Sequence, residues 1–264
     1  MTWPVSLTIA GSDPSGGAGI QADLKSFAAH EVYGCSVLTV ITAQNTAGIQ
    51  EVHPLPPELV ATQIRAVVDD LPVAAVKIGA LGSAGIVRVV GEALARLAPL
   101  PVVVDPVIES SSGRRLLDDA GMAALLERVL PQATLLTPNR HEASVLTGLP
   151  GRSGRAQARA LLEAGAGAVM ITGGDDADEE VSDLFFDGHR SFDIRRPRIS
   201  TTSTHGTGCT LSAAIAARLA LGDPLVAAVE AGRDYVQRCL ETSWPVGSGR
   251  GPLNHFHRWW GRGA

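Results

Sequence analysis

The sequence predicts an α/β protein in which a parallel sheet is covered by helices. Three observations carry that expectation. Apolar residues make up 45% of the 264 residues and aromatics only 4%, so the core is built from Ala, Val, Leu and Ile, the usual material of sheets buried on both faces. Short apolar runs alternate with amphipathic segments, the βα rhythm of such folds. The runs also end in glycine-rich or polar loops, at the sheet edge where open parallel sheets bind ligands.

Taken in order, residues 5–10 read as a first strand, followed by the loop Gly11-Ser12-Asp13-Pro14-Ser15-Gly16-Gly17-Ala18-Gly19 and a helix over 20–30. The spacing matches neither a dinucleotide fingerprint nor a P-loop. Asp23 and Lys25 lie in the first turns of that helix and read by default as surface charges. Residues 36–43 are a β-branched strand that ends in the polar cluster Gln44-Asn45-Thr46. Residues 56–70 carry Val60, Ile64, Val67 and Val68 on one helical face, with Pro near the start.

The rhythm repeats with a strand over 74–78, an exit loop at Gly79-Ala80-Leu81-Gly82 and a helix over 83–97. A strand over 101–104 ends in Asp105-Pro106-Val107. A carboxylate closing an all-apolar strand packs poorly and is well placed for Mg²⁺ or a substrate. The loop Ser110-Ser111-Ser112-Gly113 precedes a helix over 118–130, and a strand over 134–137 runs into Pro138-Asn139-Arg140-His141-Glu142. Asn139 and Glu142 have capping-box spacing, and the alternative is that the pair reaches towards Mg²⁺-bound phosphate. A strand over 168–172 closes in Gly173-Gly174, and the acidic run 175–180 reads as a solvated loop. Residues 183–186 and 191–195 flank Asp187-Gly188, a hairpin signal. A last helix spans 224–241. We expect one domain over 1–264, with a core at about 5–242 and a Gly/Pro-rich tail over 243–264.

Composition excludes several classes. A net charge of −5 without a basic block argues against nucleic acid as a partner. Cys35, Cys209 and Cys239 lie far apart with no CxxC spacing, which gives neither a disulfide framework nor a zinc site and fits a reducing cytoplasm. Residues 1–10 lack a basic leader, and no apolar run is long enough to span a bilayer, so a soluble protein is expected.

The stretch that organises the chain is Ser203-Thr204-His205-Gly206-Thr207-Gly208-Cys209-Thr210, which runs into an Ala-rich helix. A glycine loop opening a helix aims unpaired N–H groups one way, beside the positive end of the helix dipole. That is an anion site, with phosphate the expected anion. Cys209 sits in the first turn, where the same field is expected to favour a thiolate.

Read together, residues 10–25 (AGSDPSGGAGIQADLK), Ala43-Gln44-Asn45-Thr46, Asp105-Pro106-Val107, Thr137-Pro138-Asn139-Arg140-His141-Glu142 and residues 204–214 (THGTGCTLSAA) closely resemble the hydroxymethylpyrimidine/phosphomethylpyrimidine kinases of thiamin synthesis, within the ribokinase-like superfamily. The likeness covers about residues 7–240. It implies a three-layer αβα sandwich with a central, mostly parallel sheet and a small hairpin, assembled as a homodimer. It also implies phosphorylation, with ATP and Mg²⁺, of 4-amino-5-hydroxymethyl-2-methylpyrimidine and then of its monophosphate. On the matching positions, Asp23 and Gln44 would hold the pyrimidine's polar edge, lined by Ala18, Ala80 and Val107. Gly206, Thr207 and Gly208 would form the anion hole, and Cys209 would be the base. Asn139 and Glu142 would position Mg²⁺ and phosphate, with Asp105 beside them and Thr172 and Gly174 on the nucleotide side.

The chain departs from the pattern at four positions. Ala80 and Ile108 stand where Met is frequent, which alters the apolar wall over the ring. Ser111 and Thr172 stand where lysines are frequent, with Arg114 or Arg115 as candidate substitutes. The competing readings are a pyridoxal kinase and a non-catalytic sensor of thiamin precursors. A cysteine hydrolase using His205 lacks an orienting acid.

Overall fold

The computed structural model describes residues 3–110, 113–174 and 178–260. Ser111, Ser112 and residues 175–177 of the acidic run lie outside the described residues. In chain order the elements are β1 (Val5–Ser12), α1 (Gly19–Ala29), β2 (Tyr33–Asn45), β3 (Gly48–Pro54), α2 (Pro57–Val68), β4 (Val73–Ile78), α3 (Ala84–Leu97), β5 (Val102–Val104), α4 (Asp119–Ala124), β6 (Leu135–Leu136), α5 (Arg140–Thr147), α6 (Gly154–Glu163), β7 (Val169–Ile171), β8 (Glu180–Phe186), β9 (Ser191–Pro197), α7 (Thr207–Ala220) and α8 (Leu225–Glu241).

The strands form one sheet in the order β3-β2-β1-β4-β5-β6-β7-β8-β9. The pairs from β2 to β7 are parallel, whereas β2–β3, β7–β8 and β8–β9 are antiparallel. Period-2 alternation sorts the side chains into two layers. Val102, Val104, Leu136, Val169 and Ile171 join a core with α2, α3, α5 and α6. Their neighbours Val103, Leu135 and Met170 join a second core with α1, α7 and α8. The result is the three-layer αβα sandwich, with α7 apolar on nearly every face because it lies between α8 and the sheet.

Local chemistry ends the helices where the turns require. Ser83, Asp118 and Ser153 each accept a hydrogen bond from a first-turn N–H, and Gly148 closes α5 in the left-handed region. The Asp187-Gly188 hairpin forms, and Asp187 Oδ1 accepts from the N–H groups of His189 at 3.0 Å and Arg190 at 2.6 Å.

Three features depart from the sequence reading. β2 does not stop at residue 43: it continues to Asn45 and turns back as β3, so Gln44 stands on a two-stranded arm. β3 escapes detection because most of its residues are exposed or half-exposed, and it therefore carries no burial pattern. α6 was not expected, although Ser153 caps it and Ala158 and Leu161 are buried. The helix over 118–130 breaks into α4, a π turn at Leu125–Val129 and a 3₁₀ turn at Leu130–Gln132.

Candidate active site

Two glycine loops meet at the carboxyl edge of the sheet. α7 opens with no side-chain cap, and its N-cap Gly206 has φ +83°. Glycine alone holds that conformation without strain, and a Cβ there would overlap the Gly17 carbonyl oxygen. The loops therefore touch backbone to backbone. Thr210 N donates to Gly206 O at 2.8 Å. The amides of Gly208 and Cys209 precede that bond and point out of the helix start. Thr207 folds inward, its Oγ1 donating to Thr204 O at 2.8 Å.

Beneath the loops lies a buried polar cluster. Thr8 and Lys77 are register partners on β1 and β4, and both face α1. Thr8 Oγ1 donates to Asp23 Oδ2 at 2.6 Å and Lys77 Nζ donates to the same oxygen at 2.9 Å. Both charged side chains are 0% exposed, and Asp23 Oδ1 has no partner. This corrects one expectation: Asp23 is not a surface charge, because a lysine inside an apolar strand needs a buried counter-charge. Burial disfavours the Lys77 ammonium, but Asp23, Cys209 and Asp105 outweigh it and hold the amine above its ordinary value.

Asp105 continues β5 onto the same side of the sheet. A Cβ on Gly208 would stand 3.7 and 3.8 Å from its two oxygens, and Ser212 Oγ donates to Oδ2 at 3.4 Å. Burial lifts its carboxyl above the usual range, against the pull of Lys77 and of hydrogen bonds from Cys209 and Ser212. Cys209 is partly exposed as a residue, yet burial pushes its thiol up to about 12, with Lys77 pulling it down and Asp105 and Asp23 adding to the rise. The resting thiolate expected from the helix dipole is therefore corrected: desolvation and two carboxylates outweigh the amides.

Asn139 and Glu142 form the capping box of α5. Glu142 N donates to Asn139 Oδ1 at 2.8 Å, and Asn139 N donates to Glu142 Oε2 at 2.9 Å. Thr172 lies beside them, bridged to Asn139, with its N–H on Pro138 O at 2.9 Å. Among the described residues, no three His, Cys, Asp or Glu side chains are grouped to hold a metal ion. The donor set fits an Mg²⁺ that arrives on nucleotide phosphates and meets one or two carboxylates, which is how this ion is usually bound. Gly174 O accepts from Arg198 Nη1 at 3.0 Å. The adjacent Gly173 N donates to Asp183 at 2.8 Å, and Asp183 is itself paired with the buried Arg233 at 2.7 Å.

On the substrate side, Ala18 caps α1 and its N–H donates to Asp13 Oδ2 at 2.8 Å. Ala80 stands beside Gly11, and Thr39 Oγ1 donates to its carbonyl at 2.6 Å. Val107 N donates to Asp105 O at 2.8 Å. Ile108, expected on the pocket wall, is 2% exposed and belongs to the core beside Leu117. Arg115 Nε donates to Leu117 O at 2.9 Å, and its guanidinium pairs with Asp119.

Sequence reasoning missed a pair at the junction of the loops. His205 Nε2 lies 2.7 Å from Asp13 Oδ2 and 3.1 Å from the Gln44 amide. Gln44 meets the ring through its amide Nε2, and its Oε1 lies 3.3 Å from Thr42 Oγ1, which also donates to Ser12 O at 2.8 Å. Asp13 also accepts from Ser15 N and Oγ, at 2.9 and 2.7 Å. Burial opposes its ionisation, but the bonds from His205 and Ser15 outweigh it and hold the carboxyl below its ordinary value. Lys77 carried a legible signal, a charge in an apolar strand, whereas the Asp13–His205 contact spans 192 residues and left none.

The sequence signature described as Phosphomethylpyrimidine kinase matches residues 13–254. The chain is 47% identical over 262 residues to a hydroxymethylpyrimidine/phosphomethylpyrimidine kinase of Rhizobium meliloti, covering 97% of this chain and 98% of that one. Its fold is similar to that of Bacillus subtilis pyridoxal kinase in an ADP complex, with a TM-score of 0.88, 35% identity and coverage of 96% and 98%. It is also similar to a phosphomethylpyrimidine kinase of Clostridium difficile, with a TM-score of 0.77, 39% identity and coverage of 88% and 97%.

Proposed function

The chain belongs to the phosphomethylpyrimidine kinase family, and from that premise we propose how its site works. It phosphorylates hydroxymethylpyrimidine and phosphomethylpyrimidine in thiamine biosynthesis, as its full-length relatives do. The observation that carries the site assignment is the helix start at Gly206–Cys209, which has no side-chain cap and stands over Asp105 at Gly208.

The terminal phosphate of ATP lies against the amides of Gly206, Thr207, Gly208 and Cys209. Phosphoryl transfer asks mostly for alignment and charge stabilisation, and preorganised N–H groups at a helix start supply the latter. Asn139 and Glu142 steer Mg²⁺ and the phosphates, with Thr172 and Gly174 on the nucleotide side, and the ion supplies charge neutralisation when bound. Gln44, Ala18, Ala80 and Val107 hold the pyrimidine so that its alcohol faces Cys209. Cys209 takes the hydroxyl proton. Its thiol ionises only as the site fills, with Lys77 as counter-charge and Asp105 as the neighbouring acceptor for the thiol proton. Asp23 acts through Lys77.

The family likeness extends the proposal to a cytoplasmic enzyme that works as a homodimer, and sedimentation of the purified chain tests the dimer. No helix among the described residues is long and apolar enough to cross a membrane. A second reading is pyridoxal phosphorylation at the same site, favoured by the likeness to pyridoxal kinase structures and by Ala80, which shortens one wall of the pocket.

An ATP-coupled assay of the free pyrimidine, its monophosphate and pyridoxal tests these readings, with Cys209→Ala alongside. The expected result is turnover of both pyrimidines and a drop of about 10²- to 10⁴-fold in Cys209→Ala, the range of general-base help. Unchanged turnover in that variant removes Cys209 from the base role.

A further inference from the structure

The second glycine loop does not stand on its own. Its residue His205 is held on three sides by segments that are distant in sequence. The backbone N–H of His205 donates to Gly251 O at 3.0 Å. Its ring lies against the backbone of Gly17, where any Cβ would collide with it. Nε2 reaches Asp13 at 2.7 Å and the Gln44 amide at 3.1 Å. Asp13 in turn accepts from Ser15 and from the amide of Ala18. One carboxylate therefore gathers the first glycine loop and passes its position to the imidazole. The imidazole contacts the side chain assigned to the pyrimidine, and its own peptide leads into Gly206.

We propose that His205, oriented by Asp13, is a positioning residue that sets the register between the alcohol pocket and the phosphate pocket. This rests on the site assignment above, in which Gln44 serves the pyrimidine and Gly206–Cys209 the phosphate. His205 itself touches neither reacting group. Its ring fixes how far the Gln44 arm stands from the helix start, and so fixes the line along which the alcohol meets phosphorus. A misplacement of about 1 Å in such a line costs on the order of a hundredfold in rate. A hydrogen-bonded imidazole suits this task because Asp13 fixes both its tautomer and the plane of its ring.

The test is steady-state kinetics on the full chain with hydroxymethylpyrimidine and ATP. The variants are His205→Leu, His205→Gln, Asp13→Asn and the double variant His205→Leu/Asp13→Asn, each with a thermal melt, and Cys209→Ala runs in parallel. We expect His205→Leu and Asp13→Asn each to lower kcat about a hundredfold, with KM for both substrates within about threefold. The double variant should be no worse than the singles, because the pair acts as one unit. His205→Gln, whose amide can still donate to Asp13, should recover about tenfold of the loss. Losses that follow the fall in melting temperature, that add in the double variant, or that appear in KM alone would overturn the inference, as would a His205→Gln no better than His205→Leu. If a variant fails to fold, the kcat and KM of His205→Gln decide alone. Full turnover in Cys209→Ala indicts the site assignment itself, whereas an inactive Cys209→Ala beside fully active His205 variants refutes only the positioning role.

Discussion

Lys77 Nζ donates to Asp23 Oδ2 at 2.9 Å, and neither side chain reaches solvent. The contact joins the fourth strand to the first helix beneath the phosphate loop. A buried pair of this kind is costly to break from one side, since the partner is left as an uncompensated charge. Lys77→Met is expected to destabilise the fold by about 3–5 kcal/mol, whereas Lys77→Met combined with Asp23→Leu should recover most of that. Urea unfolding of the two variants measures the difference, and equal stability of the single and double variants would contradict the pairing.

The thiol of Cys209 adds to an alkaline dependence that Cys35 and Cys239 share, since burial pushes those thiols up to about 11 and about 12. The folded value of Cys209 is raised from 9.0 to about 12, so between those values the unfolded chain releases a proton that the folded chain keeps. Stability is then fully present below about pH 9 and falls as pH rises towards about 12. One such group contributes a slope of up to about 1.4 kcal/mol per pH unit. Cys209→Ser should flatten the curve relative to the parent in unfolding experiments across that window. In the ligand-free chain, alkylation of Cys209 near neutral pH should also be slow, as expected of a thiol that holds its proton.

Acid acts through Asp13, whose carboxyl the folded site holds below its ordinary value, and through buried histidines. Burial pushes His30 and His255 down from 6.5 to about 4, so the unfolded chain binds protons that the folded chain refuses. Stability is present above about pH 6.5 and is lost as pH falls through about 4. His255 faces Thr210 Oγ1 at 2.9 Å in the first turn of α7. His255→Asn should therefore weaken the acid dependence and loosen the helix start together. Hydrogen exchange at the first turn of α7 against pH is the check, and an unchanged profile in His255→Asn would count against it.

The Asn139–Glu142 capping box separates a structural effect from a nucleotide effect. Asn139→Ala should lower stability by about 1 kcal/mol, the usual value of a lost cap. Glu142→Gln keeps an acceptor for Asn139 N and so should fold nearly as well, yet it should raise the Mg²⁺ concentration needed for half-maximal turnover. If Glu142→Gln shows the parent's Mg²⁺ dependence, the residue serves the helix alone.

At the helix start, Gly206→Ala adds a methyl group where the Gly17 carbonyl already lies and forces an L side chain into φ +83°. Turnover should fall by about 10²- to 10³-fold, comparable to removing an oxyanion donor, with pyrimidine binding largely retained. Calorimetric titration of the variant with pyrimidine separates the two effects, and an equal loss of both would place the damage in the fold at large.

By itself the sequence determined the α/β class, most of the strand and helix pattern and the glycine loops, because period-2 and period-3.6 burial and glycine turns are local properties of a chain. It also displayed the motif set that marks the family. Tertiary structure alone decided which charges are buried together. Asp23 reads locally as a helix surface charge and becomes a buried partner only because β4 turns Lys77 towards it. Cys209 lies at a helix start that favours the thiolate, but the carboxylates of Asp105 and Asp23 and the desolvation around them come from other elements and reverse the balance. Asn139 and Glu142 satisfied a local rule and formed the capping box it describes. His205 and Asp13 obeyed no local rule, since their contact exists only once two loops 192 residues apart are folded against one another.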